Sequence, residues 1–178
     1  MTAEKIVNTN RDMYQNVSED ATISLLEKAE GGKVSIKDIT NALDEFKRLY
    51  KAGIASAAEI MTLHRAFPDN EVYQKEARKL EKREIEPVVL GGPASVELVD
   101  REGHLITTSA LGKAFENYMK SFRTRNAMVL HSDVQVGWAL PAYINKSGQI
   151  FKSGVNENGL FFITEMRNDT KISDRVKE

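Results

Sequence analysis

Cysteine is absent from the 178 residues, which excludes disulfides, thiolate nucleophiles and cysteine-type zinc sites and suits a reducing cytoplasm. A surplus of charge is absent too. The 25 basic and 26 acidic residues leave a net charge of −1, so no global attraction draws the chain to nucleic acid or an anionic membrane. No apolar run approaches the roughly 20 residues of a membrane span. The opening MTAEKIVNTNRDMYQ is mixed in charge with no apolar centre, so it does not read as a secretory signal. The glycine pairs lack the following Lys-Ser/Thr of a phosphate loop. The three histidines, His64, His104 and His131, show no ligand spacing with carboxylates. Neither a metal nor a cofactor is expected.

What is present suits one compact domain, or a domain with a helical appendage: 41% of residues are hydrophobic and 29% charged. The first half reads as helices. A short amphipathic piece, TISLLEKAEGGK, closes at Gly31-Gly32. Then Ile36, Ile39, Leu43, Phe46 and Leu49 recur at steps of three and four, one apolar stripe that Ser35 can cap and Gly53 ends. SAAEIMTLHRAFP repeats the pattern with Ile60, Leu63 and Phe67 before Pro68 stops it. DNEVYQKEARKLEKREIE is a third helix with a thin stripe, Val72 and Leu80, and acidic-to-basic polarity that suits the helix dipole. The paired carboxylates on these helices, among them Glu27 and Glu30, Asp44 and Glu45, and Glu81, Glu84 and Glu86, read as solvated surface, as does the KEARKLEKR run. His64 lies beside the stripe of its helix and reads as structural; His104 falls in a turn facing water.

The character changes at PVVLGGPA, residues 87–94, a breaker-rich joint. A strand is expected over 95–99, a turn at DREGH, and a helix over 107–123 capped by Thr107 or Thr108, with Leu111, Phe115, Tyr118, Met119 and Phe122 inward. A meander follows. AMVLHSDVQVGWALPAYI, 127–143, reads as one long or bulged strand or as two; strands over 149–155 and 160–166 come next, joined by turns at NKSG and at Asn158-Gly159, a strong hairpin signal. The chain closes on DTKISDRVKE, a helix start capped by Asp169 or Thr170. The class is α+β: helices at 1–86, a linker at 87–94, a β domain at 95–178.

Inside the meander, VLHSDVQVGWALP sets a histidine, a serine and an aspartate side by side. On a strand, His131 and Asp133 point one way and Ser132 the other, so Ser132 cannot be activated by its own neighbour. On these residues alone His131 is either a satisfied core histidine, the commoner case, or a proton-transfer group.

The stretch ASVELVDREGHLITTSALGKAFENYMKSFRTRNAMVLHSDVQVGWALPAYI, continued by SGVNENGLFFITEMRNDTKISDRVKE, resembles the N-terminal half of tailed-phage prohead (capsid maturation) serine proteases. The likeness covers about residues 94–178 and is one of order and spacing. It implies a partial β-barrel similar to the herpesvirus assembly protease. It also implies a serine endopeptidase that cleaves scaffold and capsid proteins, with His131 as the base; Asp133 has no part in the family pattern. The family's nucleophile stands on a later "ySig" strand, and this sequence stops within the helix before it. Ser132, Ser147, Ser153 and Ser173 all fall too early. The chain alone is therefore expected to be inactive, and its open edge to make it oligomeric or partner-dependent. Expected partners are scaffold, major capsid and portal proteins, inside the procapsid in the host cytoplasm, with no nucleic acid and no membrane. The first 86 residues read either as a docking region or as a helical cap. A non-catalytic assembly protein on the same half-fold stays open beside the protease.

Overall fold

The computed structural model describes residues 29–30, 36–120, 125–129, 132–157 and 159–169. Over these the chain is α+β, with four helices and two sheets, and it separates into two compact units. The first unit takes residues 1–86 and 142–151; the second takes 87–141 and 152–178. Among the described residues no helix is long and apolar enough to cross a membrane.

The first unit is built on three helices. α1 (Ile36–Lys51) forms because its apolar residues fall on one face, and Ile39, Leu43, Phe46 and Leu49 are all buried. It stops at Gly53, whose φ of 72° allows Gly53 N–H to reach the Tyr50 carbonyl and Ile54 N–H that of Leu49, a Schellman closure. α2 (Ala57–Ala66) starts at a capping box. The Ser56 hydroxyl accepts from Glu59 N–H at 3.2 Å, and the Glu59 carboxylate accepts from Ser56 N–H at 2.8 Å. Of the expected stripe Leu63 and Phe67 are buried and Ile60 is only half-buried, and Ala58, Glu59, Thr62 and Ala66 are buried with them. α3 (Glu71–Lys82) is capped by Asn70. Its expected stripe is out of phase: Val72 is 52% exposed, while Ala77 is buried and Tyr73 packs on the core.

A small sheet completes this unit. β1 (Ala29–Glu30) runs parallel to β6 (Ile150–Lys152), which also pairs with β5 (Ala142–Ile144). A strand thus stands at 29–30 where a helical piece was expected. The turn between β5 and β6 is the expected NKSG, held by the Asn145 carboxamide oxygen, which accepts from Ser147 N–H, Gln149 N–H and the Ser147 hydroxyl. Ile144 and Ile150 join Ile39, Leu43, Phe46, Leu63 and Phe67 in one core. Arg65 donates to the Ile144 carbonyl and the Tyr143 hydroxyl, tying α2 to β5.

The second unit is an open sheet with one helix. β2 (Val89–Ser95) pairs antiparallel with β8 (Gly159–Met166), followed by β4 (Gln135–Leu140) and β3 (Asn126–Met128); β7 (Gly154–Asn156) also pairs with β8. The strands do not close into a barrel, so of the expected partial barrel only the antiparallel meander is present. The breaker-rich segment is not a joint but β2 itself. It lies at the sheet edge, where Pro93 leaves no ladder donor unmet, and its register shifts between Pro93 and Ser95. The strand expected at 95–99 ends where it was to begin.

α4 (Thr108–Met119) is capped by the Thr107 hydroxyl and lays Phe115 and Tyr118 against Phe162. Residues 121–124, the rest of the expected helix, lie outside the described residues. Pro141 divides β4 from β5 and Ser153 divides β6 from β7, so the stretches expected as strands over 127–143 and 149–155 hold five short strands, β3 to β7. Gly159 opens β8 with φ 118°, and a Cβ there would strike the Ser95 carbonyl oxygen, so this glycine is required by the close approach of β2 as well as by the hairpin.

Candidate functional site

The apolar stretch around His131 folds as a hairpin: β3 and β4 pair antiparallel, Asn126 facing Trp138 and Met128 facing Gln135. Residues 129 and 132–134 form its loop, in which Val129 N–H donates to Val134 O at 3.1 Å, Ser132 N–H to Val129 O at 2.8 Å and Val134 N–H to the Ser132 hydroxyl at 3.2 Å. Ser132 and Asp133 are exposed. Of the one-strand and two-strand readings of this stretch the single strand is therefore corrected, with Ser132 and Asp133 standing in a loop between β3 and β4. His131 itself lies outside the described residues, as does Ser173.

The base of the loop is polar and well bonded, which the sequence reading missed. Gln135 donates to the Asn126 side-chain oxygen at 2.8 Å and to Gly137 O at 3.1 Å, and the Tyr118 hydroxyl donates to Asn126 O at 2.8 Å. Burial pushes the Tyr118 phenol above its ordinary range, opposed by the nearby Arg125 guanidinium. Arg125 is fully buried, and its carbonyl accepts from Ala139 N–H at 2.7 Å. Trp138 donates to the buried Glu165 carboxylate at 3.0 Å across the β4–β8 pair. This cluster clamps both ends of the loop to the sheet. Its signal in the sequence was three polar residues, Arg125, Asn126 and Gln135, at or just before the starts of otherwise apolar strands.

The serines fall into structural places. Ser153 is buried, donates its hydroxyl to Leu140 O at 2.7 Å and accepts from Ile163 N–H at 2.8 Å. The Ser147 hydroxyl donates to the Asn145 side chain. Neither hydroxyl bonds a base.

A second place brings titratable groups together. In the turn 100–104 the Asp100 carboxylate accepts from Glu102 N–H and His104 N–H, both at 2.8 Å, and Gly103 turns the chain at φ 83°. His104 Nδ1 stands 3.5 Å from Asp100 Oδ2 and 3.6 Å from Glu102 Oε2, and the three ligand-type atoms lie within 4.8 Å of one another. His104 does have carboxylate spacing, Asp-x-Glu-x-His, contrary to the sequence reading. All three side chains are exposed, so water competes fully for any ion there.

His64, on α2, is half-buried, and burial lowers its pKa; Arg65 and Arg78 push the same way and Glu81 opposes them. Its Nδ1 is buried with no hydrogen-bond partner among the described residues. That is the profile of a packed histidine. No protein-family model, curated protein or solved structure matches the chain.

Proposed function

We propose that this chain is part of a prohead maturation serine endopeptidase, which trims scaffold and capsid proteins inside an assembling phage head, with His131 as its general base. One observation supports the reading: within the residue pattern of 94–178 lie a helix and antiparallel strands in the implied order, α4, β3, β4, β7 and β8. In that role the imidazole takes the proton of a serine hydroxyl as it attacks the scissile carbonyl, then returns it to the leaving amine. The serine is supplied by a strand later than these eight, since Ser147 and Ser153 are committed to the fold. Scaffold, major capsid and portal proteins are the partners of this reading, and the procapsid in the host cytoplasm its location.

A second reading, a non-catalytic head-assembly protein on the same half-fold, is favoured by the exposed aliphatic loop of residues 96–106, a surface suited to holding a partner.

Labelling with a fluorophosphonate, together with scaffold cleavage, separates the two. The full product of the gene is expected to label and cleave, His131→Ala to reduce both by about 10³-fold or more, and the 178-residue chain alone to do neither. A full gene product that neither labels nor cleaves gives the assembly reading.

A further inference from the structure

Among the described residues, eleven large hydrophobic side chains are exposed, and six of them lie between positions 90 and 106. Leu98 is 70% exposed, Val99 65%, Ile106 54% and Leu105 50%. Scattered single exposures need no explanation, but a contiguous patch of several hundred Å² marks a contact surface. The loop that bears this one is tied down at several points. Asp100 N–H donates to His104 O at 2.9 Å and Gly103 N–H to Asp100 O at 3.1 Å, inside the Asp100 side-chain bonds already described. At the loop's far end the Glu97 carboxylate accepts from Thr108 N–H at 2.6 Å, at the start of α4. The aliphatic side chains are thus held outward on both shoulders of a hydrogen-bonded arm. Between them opens a concavity of about 600 Å³, lined by Val96, Leu98, Val99 and Ile106 with Asp100 and His104 at its mouth.

The rim chooses the occupant. Within 96–106 the exposed Glu97, Asp100 and Glu102 set three carboxylates against the one guanidinium of Arg101, and Asp100 lines the concavity. Two copies meeting face to face would set like-charged rims together, and an anionic lipid surface would meet the same repulsion. An apolar segment flanked by Lys or Arg satisfies both floor and rim. We propose that the arm 96–106 is a docking surface for a basic amphipathic segment of a partner protein. Nothing in this depends on His131 or on the protease reading.

Fluorescence anisotropy of the whole chain with a labelled peptide of alternating leucine and lysine pairs tests it. Saturable binding is expected, weakened at least about tenfold by the double substitution Leu98→Ser and Val99→Ser, and separately by Glu102→Lys. All three positions are exposed, so an unchanged thermal midpoint will show that the fold survives. A matching peptide with glutamate for lysine is expected to bind at least about tenfold more weakly. Absent binding, equal affinity in the variants, or equal binding of the acidic peptide would overturn the proposal. So would a dimer of the unliganded chain that Leu98→Ser dissociates, which would make the occupant a second copy.

Discussion

At Gly137, in the middle of β4, one added methyl would meet the Glu165 carbonyl oxygen of the neighbouring strand and the Thr164 methyl at 2.9 Å. A backbone atom cannot swing aside as a flexible side chain can. Gly137→Ala is expected to destabilise the chain by about 1–3 kcal/mol at least, read as a lower urea midpoint. An unchanged midpoint would mean that β4 and β8 are further apart than described. The residue's context was visible in the sequence as "VGW", but no single-chain pattern says which strand will lie across from it. The candidate site has the same division. Its residue types were legible, but the residues alone left His131 between a core histidine and a base, and only the family resemblance gave it the base role. The fixing of the loop by Tyr118, Asn126 and Gln135 depends on a helix and two strands meeting, which periodicity does not encode.

Among elements, α2 offers the cleanest test, because its capping box satisfies two backbone donors with two side chains. Ser56→Ala is expected to cost about 1 kcal/mol, a fall of roughly 2–4 °C in Tm for a chain of this size. A scanning-calorimetry midpoint that does not move would show the box to be dispensable. α1 was legible because large aliphatic and aromatic residues, Ile39, Leu43, Phe46 and Leu49, mark its inner face. The inner faces of α2 and α3 were legible only in part. Leu63 marked one position, but most other buried positions are alanines and a threonine, whose small side chains let a neighbour come close but barely register as hydrophobic. Ile60 and Val72 drew the eye instead. β2 was missed for the opposite reason: Gly-Gly-Pro reads as a break, yet an edge strand tolerates all three, since one side of it needs no donors.

Over the whole molecule, stability should follow the charge of His64. The folded chain holds that imidazole neutral below its ordinary pKa of 6.5, while the unfolded chain titrates it normally. The unfolded state therefore binds more protons as pH falls through 6.5, and stability present above that pH is lost on acidification. Arg65 and Arg78 reinforce the effect and Glu81 moderates it. Urea midpoints are expected to fall from pH 8 to pH 5.5, and to fall less in His64→Gln. Parallel slopes in the two proteins would remove His64 as the cause.

The return of residues 142–151 to the first unit sets an order of events during synthesis. When Glu86 has left the ribosome, the three helices still lack Ile144 and Ile150, two members of their own core. At about 5–20 residues per second, the intervening stretch takes several seconds to emerge. Through that interval the nascent helices wait with an open apolar seam, so the first unit cannot close until residue 151 has emerged, when the second unit still lacks β7 and β8.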